Sequence, residues 1–239
     1  MTRMLFRDDP YLKEASATVT CHTDQGGIVT DACIFYPTGG GQPGDSGWLD
    51  WDGGSCAVAT TVKVEGGKIV LVPDDPGRLP PVGATVNMRL DWDRRYGHMR
   101  IHTALHLLSV AIPFGVTGGS VGTDKGRLDF DMAEPLTDKD ATAAAINAMI
   151  ATDAPVTEDW ITGEELDAQP DLVKTLTVQP PRGSGRIRLI RIGEASAPTD
   201  LQPCGGTHVA RLGEIGRVRL GKSEKKGRMN RRVYLHLDS

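Results

Sequence analysis

Polar and apolar positions alternate in short runs through the first ninety residues. Segments 16–22, 27–35, 55–64, 68–72 and 85–90 are rich in Val, Thr and Ile, residues that suit a pleated, half-buried strand. Clusters such as Asp24-Gln-Gly-Gly27, Asp52-Gly-Gly54 and Asp74-Asp-Pro-Gly77 separate them and read as turns. Apart from a turn near 10–13, no helical period appears. The spacing predicts a small β-barrel over 1–92.

After 91–96 the period changes. Ile101, Leu105, Leu108 and Ile112 stand at i, i+4, i+7 and i+11, which predicts a helix over 94–112. Pro113 ends it, since proline cannot donate the helical hydrogen bond. A second helix is expected over 138–151, with Thr137 as N-cap and Ala144, Ile146, Met149 and Ile150 as its apolar residues. Thr162-Gly-Glu-Glu165 has capping-box spacing and opens a third, which stops before Pro170 or restarts after it. Strands are expected at 186–192, 215–220 and 231–237, the last two flanking a hairpin loop at Lys225-Lys-Gly227. Residues 93–239 therefore read as α+β, and the whole chain as two domains, 1–92 and 93–239.

Composition narrows the function. No apolar run in the 239 residues approaches the ~18 of a membrane span, and the opening apolar stretch is too short for a signal peptide. The four cysteines (Cys21, Cys33, Cys56 and Cys204) form no dense framework, which suits a reducing compartment. A soluble cytoplasmic protein with no membrane partner is expected. The net charge of −4 hides a gradient. Residues 1–92 carry 7 basic and 12 acidic side chains, whereas 211–239 carry nine Lys/Arg against three acids. A basic edge on a near-neutral domain suits a locally bound nucleic acid; a solvated hairpin is the alternative. Glycine is in excess, 29 of 239, and it clusters at Gly39-Gly40-Gly41 and Gly205-Gly206.

Chemistry concentrates in two groups. His102 and His106 are four apart on the first predicted helix and share a face. Cys204 and His208 are four apart around two glycines, which let the backbone turn until thiolate and imidazole face one point. Together they supply four ligands of the types zinc favours, and the soft thiolate argues against magnesium or calcium. His98, one turn before His102, reads as an exposed histidine at the helix start and not as a ligand. Thr103-Ala-Leu105 stands between the paired histidines, so the glutamate base of a zinc peptidase is missing. A closed ligand set would be structural and one open to water catalytic; the spacing allows both.

On these residues the chain resembles the free-standing alanyl-tRNA editing proteins, the AlaX family, relatives of the editing domain of alanyl-tRNA synthetase. The matching segments run in family order. They are Phe35-Tyr-Pro-Thr-Gly-Gly-Gly-Gln-Pro-Gly-Asp-Ser-Gly47, Met99-Arg-Ile-His-Thr-Ala-Leu-His-Leu-Leu108, Arg127-Leu-Asp-Phe-Asp131, Cys204-Gly-Gly-Thr-His208, Gly213-Glu-Ile-Gly216 and Asn230-Arg-Arg-Val-Tyr234. Threonyl-type editing domains share the histidine and Cys-x₃-His logic, but the glycine-rich and Gly-Glu-Ile-Gly segments favour the alanyl branch.

The resemblance implies a translation-factor-like barrel followed by a zinc-containing editing domain. It implies a hydrolase acting in trans on misacylated tRNA(Ala), chiefly Ser-tRNA(Ala) with Gly-tRNA(Ala) as a second substrate. One zinc ion would be held by His102, His106, Cys204 and His208. The loop with Gly40, Gly41 and Gln42 would lean over the editing cleft; its likeness to the Gly-Gly-Gln of peptide release factors is treated as coincidence. Thr117 and Ser120, in the segment after the first helix, are candidates for reading the serine hydroxyl. Lys222, Lys225, Lys226, Arg228, Arg231 and Arg232 are candidates for tRNA phosphates. Threonyl-type editing, or a tRNA-binding module with purely structural zinc, are the alternatives. No room remains for an aminoacylation domain, and the glycine runs lack a P-loop ending.

Overall fold

A computed structural model describes residues 2–176 and 185–238. The chain falls into two compact units, Met1–Tyr96 and Gly97–Ser239. The division lies inside the first long helix, not ahead of it.

The first unit contains β1 (Arg3–Met4), α1 (Leu5–Asp8), β2 (Glu14–His22), β3 (Ile28–Thr30), β4 (Ala32–Cys33), β5 (Gly47–Trp51), β6 (Gly54–Lys63), β7 (Ile69–Pro73) and β8 (Thr85–Leu90). Six of these close a barrel in the order β2-β3-β7-β6-β5-β8, as the alternation predicts. Its interior is filled by Val19, Ile28, Leu49, Val58, Leu71, Val86 and Met88, all buried. The 27–35 run breaks at Asp31 into β3 and β4, and β5 is an addition to the predicted set. Gly47, which opens β5, has no room for a side chain: a Cβ there would lie 2.1 Å from Arg89 O.

The glycine-rich segment divides into a structural part and an exposed part. Gly39 and Gln42 exchange both backbone hydrogen bonds at 3.0 Å, and Gly40 and Gly41 between them have φ of 57° and 81°. That is a two-residue type I′ turn, which only residues tolerating positive φ can form. Gly44 is required for a different reason, because a Cβ there would stand 2.0 Å from Thr61 O. Asp45 is buried, and its Oδ2 accepts from Tyr36 N at 2.5 Å and from Arg95 Nε at 3.0 Å. Arg95 is itself fully buried, with Nη1 on Pro10 O and Nη2 on Ile34 O and Asp45.

The second unit begins within α2 (Trp92–Ala111) and continues through β9 (Val116–Val121), β10 (Lys125–Asp131), α3 (Lys139–Ala151), β11 (Val156–Ile161), α4 (Gly163–Asp167), β12 (Ile187–Glu194), β13 (Ala197–Pro203), β14 (Val218–Gly227) and β15 (Asn230–Leu237). Two antiparallel sheets result, ordered β14-β15-β10-β9 and β11-β12-β13. Every residue from Ile101 to Ser109 is buried, so this stretch of α2 is enclosed on all sides and not merely along one apolar stripe. Its Ile101 and Leu105 would be struck by a Cβ on Gly126 of β10. Its His106 and Ser109 bond Asp200 and Gln202 of β13.

Several expectations shift in detail. Asp138, not Thr137, caps α3, accepting from Ala141 N at 2.8 Å. The capping box at Thr162 and Glu165 forms as predicted. Strand β14 runs through Lys225 and Lys226 to Gly227, which places the hairpin turn at Arg228 and Met229. Strands β9, β10, β11 and β13 lie outside the predicted set.

The Asp45–Arg95 pair yields a test of the first unit. Removing one partner of a buried ion pair leaves the other uncompensated, at a cost of about 3–5 kcal/mol. Asp45→Ala is expected to lower unfolding stability in urea by that amount. A loss under about 1 kcal/mol would show the pair to be dispensable.

Candidate metal centre

His102 and His106 lie one turn apart on α2, and both are buried. Cys204 and His208 come from the turn after β13, where Cys204 is half-buried and His208 buried. The four ligand atoms all lie within 4.8 Å of one another. Cys204 Sγ is 3.4 Å from His102 Nε2 and 3.3 Å from His208 Nε2. A tetrahedral zinc site with bonds of ~2.0–2.3 Å requires neighbouring ligands roughly 3.3–3.7 Å apart. The chain brings together the four residues its sequence singles out, and the cluster could hold a metal ion.

Hydrogen bonds outside the cluster decide which nitrogens face it. Thr103 Oγ1 donates its only proton to Met99 O at 2.9 Å and accepts from Val209 N at 3.3 Å. One lone pair remains, and His208 Nδ1 lies 3.1 Å away. His208 must therefore carry its proton on Nδ1 and turn the bare Nε2 toward Cys204. His106 Nδ1 lies 2.8 Å from Asp200 Oδ2; a carboxylate only accepts, so this nitrogen too is protonated and Nε2 is left as donor to a metal. These outer partners hold two of the imidazoles in the ligating tautomer.

The turn itself is clamped from β12. Arg188 Nη1 donates to Cys204 O at 3.2 Å and Gly206 O at 2.8 Å, while its Nε holds Glu158 Oε2 at 2.5 Å. Gly206 N points at Cys204 Sγ, 3.5 Å away. Burial resists charge on Cys204, but the imidazoles of His102 and His208 outweigh it and hold the thiol well below its usual range. Burial and the neighbouring His102 push His208 down to about 3. Burial would also lower His106, yet its bonds to Asp200 and Cys204 prevail and raise it to about 9.

The other candidate residues stand outside the group of four. His98 is 1% exposed, contrary to the expectation of an exposed histidine at the helix start; α2 begins at Trp92, so the position lies inside the helix and not at its start. It stands outside the group of four. Gly40 and Gly41 are exposed at the tip of their turn and Gln42 is buried. Thr117 and Ser120 belong to strand β9, not to a loop. Thr117 Oγ1 donates to Asp129 O at 3.1 Å and accepts from Asn230 Nδ2 at 3.0 Å, whereas Ser120 is exposed.

On the basic hairpin, Lys222, Lys225, Lys226 and Arg228 are exposed. Arg231 is instead buried, donating to Gly227 O at 2.9 Å and to Ala133 O. Arg232 grips Asp129 with both Nε and Nη2 at 2.7 and 2.8 Å. Thr103, Lys174, Arg188, Asp200 and Gln202 are the residues that sequence reasoning passes over. One signal is available: 200 and 202 alternate, which places Asp200 and Gln202 on one face of the strand that leads into Cys204.

Comparison with known proteins agrees with this geometry. The model of the threonyl and alanyl tRNA synthetase second additional domain matches residues 187–234, and that of class II (A) tRNA synthetases matches 9–94. An alanyl-tRNA editing protein AlaX-M from Methanosarcina barkeri is 36% identical over 99% of both chains. The AlaX-M of Methanosarcina acetivorans is 34% identical over the same shares. An alanine–tRNA ligase from Pyrobaculum aerophilum is 35% identical over 94% of this chain, which corresponds to 25% of the ligase.

Metal binding at this cluster would carry a pH signature. A metal needs His106 neutral, and its proton is held up to about pH 9. Below that pH the metal must displace the proton, so apparent zinc affinity is expected to rise about tenfold per pH unit from 7 to 9 and level off above. Chelator-competition titrations across this range measure it; a flat profile would remove the His106 proton from the account.

Proposed function

This chain belongs to the AlaX family of alanyl-tRNA editing proteins, and we propose that it hydrolyses misacylated tRNA(Ala) in trans in the cytoplasm. Ser-tRNA(Ala) is the chief substrate in this reading and Gly-tRNA(Ala) the second, with one zinc ion on His102, His106, Cys204 and His208. The observation that carries it is the convergence of those four ligand atoms within 4.8 Å in a chain that matches editing proteins from end to end.

The chemistry asks little of the protein beyond placement. An aminoacyl ester is already activated, so hydrolysis needs a positioned water and modest stabilisation of charge. Zinc, when bound, supplies positive charge at the reacting end of the ester. Thr103 and Asp200 keep the imidazole protons on the outer nitrogens, and Arg188 fixes the turn that presents Cys204. Discrimination falls to polar side chains, because a site built to bond a hydroxyl rejects the analogue lacking it by leaving its own groups unpaired. Ser120 is the stronger candidate for that task, since the Thr117 hydroxyl already joins Asp129 and Asn230. Gly40 and Gly41 would give a substrate close access to the backbone of their turn. The tRNA would meet the basic edge at Lys222, Lys225, Lys226 and Arg228.

Incubation with Ser-, Gly- and Ala-tRNA(Ala) tests the activity. Ser-tRNA(Ala) is expected to lose its amino acid roughly 10²-fold faster than Ala-tRNA(Ala), and Cys204→Ser to abolish the difference. Equal rates, or none above buffer, would overturn the reading; tRNA bound without deacylation would make the metal purely structural. Binding also has a salt signature. Lys225→Glu with Lys226→Glu is expected to flatten the slope of log K against log salt by about 1 for each phosphate no longer neutralised, as measured by filter binding. An unchanged slope would return the hairpin to a solvated surface.

A further inference from the structure

Asp200 has no exposed side-chain surface, yet it is surrounded by donors. Oδ2 accepts from His106 Nδ1 at 2.8 Å and Gln202 Nε2 at 2.7 Å, and Oδ1 accepts from Lys174 Nζ at 2.5 Å. A buried carboxylate needs a compensating cation. An imidazole bound to a metal is neutral, so His106 cannot be that cation in the loaded protein. Lys174 can, and its side chain is 27% exposed, so its ammonium is not itself stranded. Its backbone is fixed as well: Lys174 O accepts from Val116 N at 2.9 Å, and Leu176 N donates to Val116 O at 2.8 Å.

We propose that Lys174 and Asp200 form a positioning pair that orients the carboxylate and thereby fixes the His106 tautomer required for metal binding. Oδ1 serves the ammonium and Oδ2 serves the imidazole together with Gln202 Nε2, whose own amide must turn over if an NH₂ replaces that oxygen. An asparagine has one oxygen for both. Lys174 offers only donors, so in Asp200→Asn the amide oxygen turns to Lys174 and the amide NH₂ faces His106 Nδ1. That nitrogen must then accept, the ring proton moves to Nε2, and the metal loses one of its four donors. Removing the ammonium frees the oxygen to turn back. The inference rests on the cluster holding a divalent metal, but it assigns a role to two residues outside the ligand set.

A double-substitution cycle on the purified full chain tests it, read by zinc competition and by cobalt(II) absorption at saturating metal. Asp200→Asn is expected to weaken zinc binding about 10–100-fold and to lower the cobalt ligand-field extinction, leaving the thiolate charge-transfer band in place. Lys174→Met in that background is expected to restore most of both, while Lys174→Met alone weakens zinc binding severalfold, because the buried carboxylate then has no cation beside a neutral His106. Both Asn variants lack the carboxylate, so proton competition cancels between them, and simple damage to the fold would make the double variant worse. A double variant no tighter than Asp200→Asn would overturn the pair. So would Lys174→Met tightening both backgrounds equally, since that is electrostatics without orientation. A parent chain that takes up no zinc would instead overturn the metal reading on which this one stands.

Discussion

Three imidazoles and a thiol crowded within 4.8 Å pose the constraint on which the second unit depends. Such groups can all face one point only if their protons are held elsewhere, because each proton left inside blocks a ligand and each charge left inside is poorly solvated. The surrounding chain meets that demand with groups of definite polarity. The Thr103 hydroxyl is used on all three sides, by Met99 O, Val209 N and His208 Nδ1, so its geometry leaves one tautomer for His208. Asp200 imposes the same on His106. The enclosure of α2 over 101–109 follows from this, since its polar side chains find partners on the loop and strand around it while its apolar ones bury against β10.

The glycine-rich segment shows how one short string can serve unlike purposes within a few residues. Gly44 and Gly47 answer to sterics, with neighbouring backbone at 2.0 and 2.1 Å from any Cβ they might carry. Gly41 and Gly40 answer to dihedral angle, and an added Cβ at Gly40 would meet nothing within 4 Å. Asp45 answers to charge, as the counter-ion of a fully buried arginine. Only the tip of the turn has room beside it, so any role toward a substrate belongs to Gly40 and Gly41 before the rest of the motif.

The barrel and the His/Cys cluster are legible in the sequence because each rests on local periodicity. Alternation marks strands, a spacing of four marks one helix face, and paired glycines mark a tight turn. What escapes is decided by tertiary partners. Strand β9 reads as a loop because Gly118 and Gly119 depress strand propensity, yet both pair with β10, where a Cβ at Gly119 would press on the Leu128 side chain at 3.0 Å. Strand β13 is obscured by Pro198 and Pro203, and with it goes the alternation that sets Asp200 and Gln202 on one face. His98 reads as exposed because a single histidine carries no signal of whether its helix is enclosed.

Charge summed along a sequence and charge presented in space also differ, and the basic hairpin shows by how much. Nine Lys/Arg against three acids in 211–239 suggests a strongly cationic edge. In the fold, Arg231 is buried on carbonyls, and Arg232 pairs with Asp129 directly opposite it on β10, a carboxylate that Arg127 also holds. Lys222 and Lys226 flank Glu224, with Lys222 also 5.3 Å above the Tyr234 ring. Ion pairs at an exposed surface do not erase charge, since they are worth little and exchange readily with a phosphate. A buried guanidinium cannot exchange in that way. Of the nine, Arg231 and Arg232 are withdrawn into the fold, and seven stay exposed: Arg211, Arg217 and Arg219 beside Lys222, Lys225, Lys226 and Arg228, the last four gathered toward the hairpin turn.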